Sequence, residues 1–315
     1  MLSITDDFRS TVLKQAGGDP SGWTVPPWTL EADREINRAL GVKKTILSVT
    51  APGACIEKDA EAAARLARQF NDDAAAIRDA ARPGEYGFFA SLPSLLDTEL
   101  ALREMSYAFD ELHADGVILF TRYGHDSDGN HYLGHAVFRP VWRELNRRRA
   151  VVLVHPTHAA DTRLVNAQLP QPMFDYPHET GRAAIDMIVS DTLASTAADC
   201  RIILAHAGGT LPYLVYRPAG LLPHTPFAAG DKSTEQIVAE ASRFYFDVAI
   251  SSNPLTLDLL LRFAQPGHVL FGTDFPNAPT EAIKYFTANF DRFPLSAAKR
   301  REIDHEAAAA LFSNE

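Results

Sequence analysis

Residues 150–156 read AVVLVHP: five apolar residues, then a histidine, then a proline. A continuous apolar run is what a β-strand covered on both faces requires, and the proline ends it because it cannot donate to a ladder. The same design recurs twice downstream. Residues 202–209 read IILAHAGG and residues 269–276 read VLFGTDFP, so three runs deliver His155, His206 and Asp274 straight into loops. As strands these runs span 150–155, 201–206 and 269–273; further β-rich runs lie at 44–50 (KTILSVT), 86–91 (YGFFAS), 116–120 (GVILF) and 243–248 (RFYFDV).

Helix-period segments fill the intervals. Ala62, Ala63, Leu66, Ala67 and Phe70 form one stripe, and Leu96, Leu100, Ala101, Ala108 and Leu112 contribute to another. Others lie at 138–148, 179–197, 233–241, 254–264, 280–290 and 296–312. Such alternation predicts an α/β fold with parallel crossovers, either a doubly wound sheet or a (β/α)8 barrel. No GxGxxG or GxxxxGK[ST] follows the first strand, which weakens the nucleotide-binding doubly wound option. Seven strands are one short of a closed barrel. The irregular stretches 17–28, 122–134, 169–177 and 217–230 are too small for cores of their own, so they are expected as loops at one rim of a single domain, 1–315.

Composition fits that scale. The 315 residues carry a net charge of −10, with 46% hydrophobic and 22% charged residues, which excludes disordered, collagen-like and disulfide-scaffold classes. The acidic balance argues against a nucleic-acid partner, since phosphate binding needs clustered Lys and Arg. Apolar runs are too short to span a membrane, and residues 1–25 lack the pattern of a signal peptide. With Cys55 and Cys200 the only cysteines, no disulfide framework or CxxC site exists, and a cytoplasmic setting is expected.

In a parallel barrel, residues at the carboxyl ends of strands share one rim, so His155, His206 and Asp274 can converge. Two imidazoles and a carboxylate suit a divalent metal, or an acid/base pair beside one. Other histidines carry less. His158 in HPTH follows Pro156 into a loop; His125, His131 and His135 occupy a polar, Gly-containing loop. DYPHET at 175–180 is expected to open a helix, with His178 facing either pocket or solvent. Arg217 fits either a surface salt bridge or a clamp on a substrate carboxylate. No GxSxG elbow is present, and neither cysteine has a nearby histidine.

The stretches FRPVWRELNRRRAVVLVHPT (138–157), DYPHET, IILAHAGGTLPYL (202–214) and FGTDFPNAP (271–279) resemble the amidohydrolase-related decarboxylases. That family includes aminocarboxymuconate semialdehyde and γ-resorcylate decarboxylases. GGDPSGWTVPPW (17–28) and ILSVTAPG (46–53) are most similar to its fungal 6-methylsalicylate branch. The resemblance implies a distorted (β/α)8 barrel of the metal-dependent hydrolase type with one divalent metal, zinc or alternatively manganese. It implies His155 and Asp274 as metal ligands and His206 as a catalytic residue near the metal, with His206 and Asp274 both candidate proton donors. It implies Arg217 as a contact to the substrate carboxylate of a neighbouring subunit, hence a homodimer. The activity implied is non-oxidative decarboxylation of a small aromatic or enoic carboxylate, a 6-methylsalicylate-type hydroxybenzoate foremost. Metal-assisted hydrolysis of a lactone or amide is the alternative.

Family members open with a strand ending His-x-His whose imidazoles complete the metal site. LSITDDF at 2–8 matches the segment directly downstream of that motif, so the expectation is a barrel lacking strand one and two ligands. An inert barrel is the third possibility on this ground. The same expectation leaves the 44–50 and 269–273 strands as open edges, with residues 1–10 loosely laid beside them.

Overall fold

The computed structural model describes residues 19–124, 131–227 and 232–313. The expectation for residues 1–10 therefore falls outside the described residues.

Among the described residues, seven parallel strands form one curled sheet. They are β1 (Thr45–Leu47), β2 (Tyr86–Ala90), β3 (Gly116–Phe120), β6 (Val151–His155), β7 (Arg201–Leu204), β8 (Tyr245–Asp247) and β9 (Val269–Leu270), paired in that order. A two-stranded hairpin of β4 (Arg122–Tyr123) and β5 (His131–Tyr132) rises from the rim after β3. In register, Phe120 faces His155, Val154 faces Leu204, Leu204 faces Phe246 and Asp247 faces Leu270. Every residue of β2, β3 and β6 is buried, as their unbroken apolar runs require.

Helices cover the outside. In chain order they are α1 (Leu30–Leu40), α2 (Ala60–Ala80), α3 (Thr98–Asp110), α4 (Arg139–Arg147), α5 (Gln171–Val189) and α6 (Thr192–Ser195). The series continues with α7 (Leu211–Leu214), α8 (Tyr216–Leu221), α9 (Thr234–Ser242), α10 (Pro254–Phe263), α11 (Thr280–Arg292), α12 (Ala297–Arg301) and α13 (Ala307–Phe312). Side-chain caps set several starts: Thr29 accepts from the Ala32 amide, Asp59 from the Ala62 amide, and Ser233 with Gln236 forms a capping box. On α4, Val141, Trp142 and Leu145 turn inward, and the Trp142 indole donates to the Leu133 carbonyl at 2.9 Å. None of the helices among the described residues is long and apolar enough to cross a membrane.

Two expected loops are corrected. Residues 169–177 read as irregular because of Pro170, Pro172 and Pro177, yet α5 begins at Gln171, so DYPHET lies within a helix rather than opening one. Pro170 is its N-cap and Pro172 occupies its first turn, where a missing N–H costs nothing. The stretch from Arg217 likewise starts inside α8. Pro218, also in the first turn, is tolerated for the same reason.

Strand β1 and strand β9 have no strand partner on their outer sides among the described residues. Helix α1 spans this seam. One side of it meets the β1–β2 flank: Asn37 donates to Thr45 Oγ1 at 2.9 Å, Tyr86 donates its hydroxyl to Asp33 at 2.8 Å, and Arg34 pairs with Glu85 at 3.1 Å. The other side packs Ile36 into a buried cluster with Ala278 and Ile283, flanked by Ile250 and Phe275. Farther along, the Phe271 amide donates to the Ile303 carbonyl at 3.2 Å, in the wide turn of helix that joins α12 to α13. The seam expected to be bare is therefore partly covered, at β9 by a backbone hydrogen bond from outside the sheet.

Candidate active site

His155 is the last residue of β6, His206 lies just past the end of β7, and Asp274 follows β9 by a short extended stretch. Parallel neighbours put these positions at one rim, and one ligand-type atom from each lies within 4.8 Å of the others. The two imidazoles meet edge to face with ring centroids 5.1 Å apart. His206 Nε2 is 3.7 Å from Asp274 Oδ2, with both side chains 9% exposed.

Each group has a defined state. His155 Nδ1 stands 2.7 Å from the Pro156 carbonyl, which can only accept, so Nδ1 carries the proton and Nε2 keeps its lone pair. Burial pushes the His155 imidazole down to about 3, so it stays neutral. For Asp274, burial works toward the neutral acid, but the neighbouring His206 outweighs it and holds the carboxyl below its usual range. Burial likewise opposes a charge on His206, and Asp274 overcomes that to raise it. Asp274 Oδ1 is buried and accepts no hydrogen bond from the described residues. An orphaned carboxylate oxygen beside an imidazole lone pair supplies two donors suited to a divalent cation, part of the three or four protein ligands such a site usually has.

The backbone at these loops is left-handed without glycine: His206 has φ 57°, Ala207 φ 56° and Asp274 φ 62°. Conformations of this kind cost about 1–3 kcal/mol each and persist where the surroundings over-determine them. Here Asp247 does so, since its Oδ1 accepts both the His206 and the Ala249 amides at 3.0 Å. Gly209 lets the His206 loop lie against α5, where a Cβ would overlap the Pro177 carbonyl that accepts the Thr210 amide at 3.0 Å.

Residues 19–28 run over the same rim. The backbone carbonyl of buried Ser21 accepts the Gln171 amide at 2.9 Å, while the Trp23 indole donates to the Asn277 carbonyl at 3.2 Å. Tyr176 stands edge-on to His155 at 6.1 Å. This strap thus connects the His155 and Asp274 sides.

The other expected positions lie elsewhere. Arg217 is exposed on α8. His178 is exposed, edge-on to Phe174 at 5.2 Å. His158 is half-buried beside Thr157 and outside the cluster; His131 and His135 stack on each other at 4.0 Å; His125 falls outside the described residues. Cys55 and Cys200 are unpaired. Asp247, Tyr176 and Ser21 were not expected. A usable signal existed for Asp247, because it is a carboxylate next to the end of the β-run RFYFDV.

The Amidohydrolase family profile matches residues 22–313. The chain belongs to the amidohydrolase family. It is 59% identical over 300 residues to the 6-methylsalicylic acid decarboxylase of Penicillium expansum, covering 95% of this chain and 91% of that protein. With the 6-methylsalicylic acid decarboxylase of Aspergillus aculeatus it shares 61% identity over 282 residues, 89% of this chain and 84% of that one. Among solved structures, the dihydroxybenzoic acid decarboxylase of a Polaromonas species, determined with bound manganese and the inhibitor 2-nitroresorcinol, superposes with a TM-score of 0.82. That match has 23% identity and covers 98% of this chain and 93% of the other. The likeness places the seven-stranded sheet in the amidohydrolase barrel fold.

Proposed function

We propose that this amidohydrolase-family protein is a metal-dependent, non-oxidative decarboxylase of a hydroxybenzoate, with a 6-methylsalicylate-type acid as substrate. The observation that carries the proposal is the rim cluster of His155, His206 and Asp274, with a free imidazole lone pair and an orphaned carboxylate oxygen side by side. The two relatives at 59% and 61% identity supply the substrate class by name.

His155 Nε2 and Asp274 would hold the metal, zinc or manganese, which when bound supplies positive charge to orient and polarise the substrate's oxygens. Losing CO2 directly from an aryl carbon would leave a high-energy carbanion, so a proton must reach the carboxylate-bearing carbon first. His206 favours the ionised form of Asp274, and Asp274 favours the protonated form of His206, whose Nε2 is the atom that faces the cluster, so we take His206 as the donor. It donates to the ring carbon; the carbon–carbon bond then breaks, its electron pair returns to the ring, CO2 leaves, and solvent reprotonates His206.

Arg217 would serve a second copy. Around it, Tyr213, Leu214, Tyr216, Leu221 and Phe227 are exposed, an apolar patch that supports a homodimer in which Arg217 reaches the partner's substrate carboxylate. The unpaired cysteines support a reducing, cytoplasmic setting.

Metal-supplemented protein given 6-methylsalicylate should release CO2 and m-cresol in equal amounts. Intact substrate across a panel of hydroxybenzoates, or products that have gained water without CO2, would overturn the proposal.

A further inference from the structure

We infer that Asp247 is a positioning residue for His206. The inference rests on the decarboxylase reading only for its kinetic readouts. Strand β7 ends at Leu204, and its ladder with β8 runs no further than the Leu204–Phe246 pair. His206 therefore leaves the sheet with its amide unclaimed by a neighbouring carbonyl. The Asp247 carboxylate, next in line on β8, takes that amide at 3.0 Å and with the same oxygen takes the Ala249 amide at 3.0 Å. One side chain thus stands in for the ladder acceptor just where His206 and Ala207 turn left-handed.

Two other features show the carboxylate is held in place. Across the sheet, just past β9, a Cβ on Gly272 would sit a tight 3.2 Å from Asp247 Cβ and 3.4 Å from its Cγ, so the chain packs closely against this side chain. Behind the His206 turn, a Cβ on Gly208 would come within 2.8 Å of the Phe246 ring, so the absence of a side chain there lets the loop pack directly onto β8. The His206 backbone is pinned between these contacts, and with it the direction of an imidazole whose Nε2 must face both Asp274 and the reacting carbon. A catalytic group displaced by about an ångström loses on the order of 100-fold in rate.

The acceptor oxygen is what this role needs, so Asp247→Asn and Asp247→Ala separate it from bulk stability. Asp247→Ala should lower kcat by about 10- to 100-fold with KM within about threefold of wild type. Asp247→Asn, which keeps the size and an acceptor, should recover most of the loss. In a His206→Ala background, Asp247→Ala should cost no further rate, because the group it positions is gone. The imidazole resonances of His206, identified by their disappearance in His206→Ala, should shift in Asp247→Ala and stay in Asp247→Asn. Wild-type kcat in Asp247→Ala, a full additive loss in the double variant, or unmoved His206 resonances would each overturn the inference. If wild-type protein decarboxylates no hydroxybenzoate, the proposed function fails, while the resonances still decide the role of Asp247.

Discussion

His206 Nε2 and Asp274 Oδ2 stand 3.7 Å apart in a buried corner of the rim, each holding the other in its charged form. At that distance the relation is electrostatic rather than a hydrogen bond. In the proposed mechanism this pairing suits Asp274 to holding a metal and His206 to giving a proton.

Substitutions should separate the two roles. Asparagine tolerates the left-handed φ of 62° at position 274, so Asp274→Asn should fold normally. It should lose bound metal and about 100- to 10,000-fold in kcat. His206→Asn should lose a comparable factor in kcat and retain wild-type metal content. Metal analysis of the purified variants checks this, and metal loss in His206→Asn would make His206 a third ligand.

The stability of the fold should carry a pH signature from the opposite end of the sheet. His268 is packed flat on Tyr245 at 3.9 Å, and its Nδ1 donates to the Arg243 carbonyl at 3.0 Å. Burial holds its imidazole below the ordinary value of 6.5. The unfolded chain therefore binds a proton more readily than the folded one. The stabilisation is full above about pH 6.5 and is lost as pH falls through the lower folded value. Urea midpoints should drop from pH 7 to pH 5.5, and drop less in His268→Gln; parallel profiles would show that His268 does not contribute.

Truncating Ile36 on the seam helix tests how much that helix holds. Ile36→Ala should destabilise by about 2–3 kcal/mol, at the low end for a buried isoleucine because its cluster has few members. Chemical denaturation measures the loss. A change below about 0.5 kcal/mol, the level of ordinary surface substitutions, would mean that α1 does not bind the two edges together.

The apolar patch around Arg217 should govern assembly. Changing Tyr213 and Tyr216, both exposed, to Ser should shift the proposed dimer toward monomer and raise KM for the carboxylate substrate. An unchanged mass would place any dimer contact elsewhere.

Much of this architecture can be read from residue order, for reasons visible in individual stretches. VVLVH fits a strand covered on both faces, and it forms β6 with all five residues buried. His155, His206 and Asp274 are legible because each ends such a run, and a parallel sheet sends all run ends one way. The first turns of α5 are not, because proline is ambiguous: it breaks a helix interior but is well suited to a start. Pro177 is the harder case, since it lies inside the helix. Asp247 lies near the end of a β-run as well, but it accepts an amide from beyond another strand, and a run read alone does not show its neighbour. Strap contacts such as Ser21 with Gln171 and Trp23 with Asn277 join distant segments, and no local pattern encodes them.

Helix α1 sets a timing problem for the chain that carries it. Its buried partner Ile283 lies 247 positions downstream of Ile36. Closure over such a distance carries a large entropic cost before any contact repays it, so this junction belongs among the last to form. During synthesis α1 emerges early and must wait, apolar face unpartnered, until α11 has been made. Closure of this seam is thus deferred until α11 has been made, and the apolar face of α1 is open to wrong partners until then.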